Sequence, residues 1–87
     1  DESAVGVYSW AKDHGLRIPD DISVIGYDDI LLARVLTPPL TTMHAPNFDM
    51  AKRAADSAFN EIYRKRLPLG GTFKTTLIER ESVATLI

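Results

Sequence analysis

The chain contains no cysteine, so disulfides and thiolate metal or redox sites are excluded. That absence fits a cytosolic protein and also fits many exported ones. Positive charge is not in excess. Ten Lys and Arg stand against twelve Asp and Glu, a net charge of −2. Nucleic-acid binding through these residues is disfavoured, because a phosphate backbone is held by clustered cations. No apolar run approaches the length of about 20 residues that a membrane-spanning helix requires. Internal repeats, low-complexity tracts and interdomain linkers are also missing. There is no signal peptide, but the chain starts at Asp1 rather than methionine, which points to a processed or excised segment.

What remains is ordinary globular material. The 87 residues suffice for one small domain or for part of a larger one. A chain of this size buries only about 60–65% of its unfolded surface, so its stability is marginal without partners.

Residues 2–14 read as a helix, with Ala4, Val5, Val7, Tyr8 and Ala11 at helical spacing. Asp1 or Ser3 caps its start, and Gly15 fits the left-handed stop. Ile22 to Tyr27 reads as a strand whose continuous apolar character predicts burial on both faces. Helix, loop and buried strand form the second half of a parallel βαβ unit. Ile30 to Leu36 allows one or two helical turns, ended by Thr37-Pro38-Pro39. Leu40 to Met43 is a short β candidate. A second long helix follows Pro46, capped by Asn47. Its predicted buried face carries Ala51, Ala54, Ala55, Ala58, Phe59 and Ile62, and Arg64, Lys65 and Arg66 fall in its last turn. After a loop containing Pro68, Gly70 and Gly71, Phe73 to Val83 reads as a final strand.

The chemistry concentrates at Gly26-Tyr27-Asp28-Asp29. In open α/β sheets, ligands sit beyond the carboxyl ends of the strands. A carboxylate there can accept two hydrogen bonds from neighbouring hydroxyls of a sugar or nucleoside, and charge-assisted bonds are the strong ones. Gly26 permits close approach, and Tyr27 can pack behind the cleft. A plainer alternative has Asp28 and Asp29 capping the helix that begins near Ile30. Paired acids also hold magnesium at phosphoryl-transfer sites, but no lysine or further carboxylate completes such a set here. His14, in the last turn of the first helix, complements the helix dipole. His44 follows the short strand and can face a cleft, or else lie at the surface or at a hinge. Ser23 lacks a nucleophile turn, so nucleophilic catalysis has no support. The basic triplet 64–66 is accounted for by the dipole of the second helix. Tyr8 and Trp10 belong either to the core or to an interface.

Four stretches together resemble one family. They are Ala4-Val5-Gly6-Val7, then Gly15 through Asp29, then Leu36-Thr37-Pro38-Pro39-Leu40-Thr41-Thr42, and finally Leu77-Ile78-Glu79-Arg80-Glu81-Ser82. In order and spacing they are similar to the lactose-repressor/galactose-repressor (LacI/GalR) family of bacterial transcription regulators, over essentially the whole chain.

The resemblance implies an α/β fold, a fragment of a type I periplasmic-binding-protein-like effector domain. In that fold two lobes, each a parallel sheet flanked by helices, are joined by crossover strands. Residues 1–42 would belong to the C-terminal lobe. Residues 43–71 would supply an N-terminal-lobe helix with its crossovers, and 72–87 a returning strand. The DNA-binding domain would lie outside these residues. The resemblance also implies the function: an effector-binding and dimerisation segment of a regulator controlled by a small sugar-like or nucleoside-like ligand. Asp28 would contact the effector, with Tyr27, Asp29 and His44 beside it. Val5, Tyr8, Arg34, Val35 and Leu36 would lie on the surface of a homodimer. Operator DNA would be held by the missing head. No catalysis, cofactor, metal or membrane partner is implied, and the location would be cytoplasmic. Many members carry glutamine where this chain has Ala45, so one polar cleft contact is lacking. The alternatives are an exported sugar-binding protein of a transporter and a magnesium-dependent phosphoryl-transfer domain. A further expectation is that these residues do not form the two-lobe fold as an isolated monomer.

Overall fold

The computed structural model describes residues 1–85 and divides into two compact units. The first comprises Asp1–His44 with the stretch from Thr76 onward, and the second comprises Ala45–Thr75. The expected returning strand 72–87 includes residues 86 and 87, which lie outside the described residues.

In the first unit, α1 (Glu2–Asp13) forms where the apolar spacing predicts it and buries Ala4 and Ala11. Asp1 is its N-cap, but through the backbone only, with Ala4 N–H donating to Asp1 O at 3.0 Å. Gly15 adopts φ +66°, the left-handed geometry glycine enters without steric cost. His14 Nδ1 lies 2.8 Å from Trp10 O, so its ring meets a carbonyl at the negative end of the helix. The same ring stacks on Trp10 at 4.4 Å. Trp10 is half-exposed, whereas Tyr8 packs on the core and donates its hydroxyl to Pro38 O at 2.8 Å. Burial pushes the Tyr8 phenol above its ordinary pKa.

The segment from Ile22 to Tyr27 departs from the expected strand. Only isolated parallel bridges form, Ile25 to Thr41 and Asp28 to His44. The N–H groups of Val24, Gly26 and Asp28 donate to Ser82 O, Thr41 O and Met43 O at 2.8–2.9 Å. Val24 is buried with Ala4, Ala33 and Leu40, while Ile25 is 59% and Tyr27 50% exposed. Burial on both faces is therefore wrong. Side chains alternate along an extended segment, and among the described residues only the Val24 face is covered.

The helix α2 (Leu31–Val35) is short, and extended backbone at Leu36 ends it before Thr37-Pro38. Among the described residues, the one regular ladder is antiparallel. β1 (Thr42–His44) pairs with β2 (Thr76–Ile78), Thr42 opposite Ile78 and His44 opposite Thr76. The expected strand from Phe73 to Val83 thus shrinks to three residues, because β1 offers a partner only that long. Beyond it, the tail is fixed by side chains. Ser82, fully buried, donates its hydroxyl to Val24 O at 2.5 Å and accepts Thr41 N–H at 2.8 Å. Three stretches distant in sequence meet on that hydroxyl, which replaces ladder bonds the irregular backbone does not make.

The second unit is built on α3 (Asn47–Tyr63). Its N-cap is Pro46, so Asn47 is the first helical residue rather than the cap. No α3 residue is fully buried, contrary to the expected apolar face. Arg53, Asp56 and Asn60 are instead the partly covered positions together with their neighbours in the loop. That loop crosses the polar side: Asn60 exchanges two side-chain bonds with the Leu67 backbone, at 2.8 and 3.2 Å. Arg53 donates to Gly71 O and lies 5.5 Å from the Phe73 ring centroid. Arg64 is the C-cap, in the left-handed region at φ +53°, so the basic triplet lies past the helix and not in its last turn.

Candidate functional site

Asp28 and Asp29 sit where the extended segment meets β1. Both have positive φ, +110° and +57°. Positive φ is uncommon away from glycine, although Asp tolerates it better than most residues. Each such residue costs about 1–3 kcal/mol and persists only where its surroundings fix it.

The two carboxylates diverge. Asp28 is exposed, its backbone N–H tied to Met43 O at 2.8 Å. The Asp29 side chain is only 6% exposed and its two oxygens are held separately. Arg80 Nη2 donates to Oδ1 at 2.6 Å, and His44 Nδ1 lies 3.2 Å from Oδ2. An ionised carboxylate only accepts, so that contact places the proton on Nδ1. The Arg80 bond holds the Asp29 carboxyl below the usual carboxylate range, against the opposing effect of burial. Arg80 is itself anchored, donating Nη1 to Leu40 O and its backbone N–H to Thr41 Oγ1, each at 2.9 Å.

Neither aspartate caps α2. Its N-cap is Ile30, without a side-chain bond, and the Ile30 N–H donates to the Asp1 carboxylate at 2.8 Å. The other Asp1 oxygen accepts Thr42 Oγ1–H at 2.5 Å, and the Asp1 amino group donates to Tyr27 O at 3.0 Å. The capping reading fails because Arg80 and His44 claim Asp29, while Asp1 takes the orphan amide. Gly26 is required by this crowding. A Cβ there would lie 2.8 Å from Leu40 Cδ2 and nearer still to Asp1 Oδ1.

Asp28, Tyr27 and His44 therefore present an exposed carboxylate, a half-exposed phenol and a half-exposed imidazole at one end of the first unit. Such a set can bind a polyhydroxylated ligand: the carboxylate accepts from two hydroxyls, the Tyr27 phenol donates, and His44 Nε2 accepts. Asp29 faces Arg80 instead. Ala45 is buried and offers no polar group. No group of three or more metal-ligating side chains occurs among the described residues. Sequence reasoning missed Arg80 and Asp1 as members of the constellation. The signal for Arg80 was present, as the cation in an otherwise apolar and acidic tail, but its partner is far away in sequence.

Val5, Tyr8 and Leu36 line one open apolar groove of about 600 Å³, beside Leu16, Ile18 and Pro38. Arg34 and Val35 are exposed and lie outside its lining.

Residues 1–83 match the family described as the periplasmic binding protein-like domain. The chain is 40% identical to the ribose operon repressor of Haemophilus influenzae, across 99% of its own length and 26% of the repressor's. It is 38% identical to the transcriptional regulator GalR of Escherichia coli, across 98% and 25% of the two chains. Among solved structures, a LacI-family regulator from Enterococcus faecium with bound ribose is similar at TM-score 0.80 and 33% identity. That match covers all of this chain and 33% of the other. One from Burkholderia phymatum gives TM-score 0.82 at 33% identity, covering 94% and 30%. The chain spans about a quarter of the length of the curated relatives it matches. It carries the α/β architecture of their periplasmic-binding-protein-like fold, and the exported transport protein is the less favoured alternative. The chain belongs to the periplasmic binding protein-like domain family, in the form found in LacI/GalR regulators.

Proposed function

We propose that these residues form the effector-binding and dimerisation segment of a LacI/GalR-type transcriptional regulator. The observation that carries the reading is the exposed Asp28 carboxylate beside His44, set above a buried and fully engaged Asp29. Asp28 accepts hydrogen bonds from adjacent hydroxyls of a sugar or nucleoside, with the Tyr27 phenol as a flanking donor and His44 Nε2 as a flanking acceptor. A regulator similar to this chain holds ribose, which supports the pentose class. Residues 1–42 would act as part of the C-terminal lobe. Residues 43–71 would carry a helix of the other lobe with its crossovers, and the stretch from 72 would return. The groove around Val5, Tyr8 and Leu36, with exposed Arg34 and Val35 nearby, would face a second copy.

The ligand acts by binding alone, in a cytoplasmic protein that performs no catalysis. It shifts the balance between two lobe arrangements because it binds one more tightly, and the dimer passes that difference to operator DNA held by another part of the protein. The test is calorimetric titration of D-ribose, D-galactose and inosine into the full-length protein and its Asp28→Ala variant. Loss of two charge-assisted bonds, about 3 kcal/mol together, predicts affinity roughly 100-fold weaker with an unchanged thermal midpoint. Equal affinity in the two proteins removes Asp28 from the pocket.

A further inference from the structure

We infer that Arg80 is a positioning residue for the effector carboxylate: through Asp29, it fixes the backbone that aims Asp28. The inference rests on the reading of Asp28 as the effector contact. Two consecutive positive-φ residues, at +110° and +57°, do not persist through local preference alone. One tether is the Asp28 N–H bond to Met43 O at 2.8 Å, which holds the entry to the turn. The exit is held by the Asp29 side chain, and there the strongest bond comes from Arg80 at 2.6 Å. Arg80 is a rigid anchor because it is fixed at Leu40 O and Thr41 Oγ1, on two buried residues. Its planar fork spans Leu40 O and Asp29 Oδ1 together, which a lysine ammonium on a flexible stem cannot reproduce. The chain thus connects its buried core to an exposed carboxylate through one guanidinium, with His44 closing the opposite oxygen at 3.2 Å.

The experiment uses Arg80→Met and Arg80→Lys in the full-length protein, with Ser82→Ala as the control. Ser82 donates and accepts buried bonds in the same tail without touching the aspartates. Crystal structures of the Arg80 variants are expected to show residues 28 and 29 leaving the positive-φ region. D-ribose affinity, read by calorimetry, is expected to fall at least tenfold in both. Ser82→Ala is expected to lower the thermal midpoint while its D-ribose affinity stays within twofold. If Arg80→Met fails to fold, Arg80→Lys decides on the same readouts. Folded variants that keep positive φ at both residues overturn the inference, as does a Ser82→Ala loss of affinity equal to theirs. Absence of D-ribose binding by the unmodified protein counts against the pentose reading instead, and the backbone at 28 and 29 then decides the inference alone.

Discussion

Asp28 and Asp29 are adjacent and chemically identical, yet only one is exposed. The difference comes from what each meets. The buried Asp29 carboxylate is worth keeping ionised only while Arg80 is present, because an unpaired buried charge is heavily penalised. Its folded-state pKa lies below the ordinary value through the Arg80 bond. A lowered carboxyl pKa contributes stability above the unfolded value of about 3.9, and that contribution is lost as pH falls through the folded one. The thermal midpoint should therefore exceed that of Asp29→Asn at pH 6, and the gap should narrow as pH falls below about 4. A gap constant between pH 6 and pH 2 would contradict the pairing. Gly26→Ala tests the crowding beside it. With Leu40 fully buried, the added methyl has nowhere to go and should cost about 1–3 kcal/mol in urea unfolding.

At the scale of elements, the helices were legible and the strands were not. Helical period and the Gly15 stop are local properties, so α1, α2 and α3 appear within a few residues of where spacing places them. A strand exists only where a partner pairs with it, and β propensity cannot say how long that partner is. α3 shows the limit of periodicity from the other side. The spacing of Ala51, Ala54, Ala55, Ala58, Phe59 and Ile62 is correct, yet the loop crosses the face of Arg53, Asp56 and Asn60. Asn60→Ala should accordingly raise the Leu67 amide exchange rate about fivefold, the value of a hydrogen bond worth about 1 kcal/mol. Phe59→Ala, at a position 40% exposed, should leave that amide unchanged. Equal effects would mean that the apolar face, not the Asn60 bridge, holds the loop.

For the whole molecule, the proposed dimer is the property with a direct test. Val35 is 64% exposed on the end of α2, and Leu36 beside it lines the apolar groove. Val35→Glu would place a charge against a second copy and should shift the full-length protein toward monomer in sedimentation, with its thermal unfolding still cooperative. A variant that sediments like the unmodified protein would take Val35 off the interface.

The sequence by itself determined the helices, the α/β class and, through four stretches in fixed order, the family. These rest on local spacing and on a pattern that survives without coordinates. It also singled out the Gly26-Tyr27-Asp28-Asp29 turn, but left capping and ligand contact both open. Only the tertiary structure divided the pair, because Arg80 lies 51 residues from Asp29 and the contact exists only once the tail packs against Leu40 and Thr41. A carboxylate's role is set by the cation and the solvent it meets, and chain order specifies neither until the backbone has brought them together.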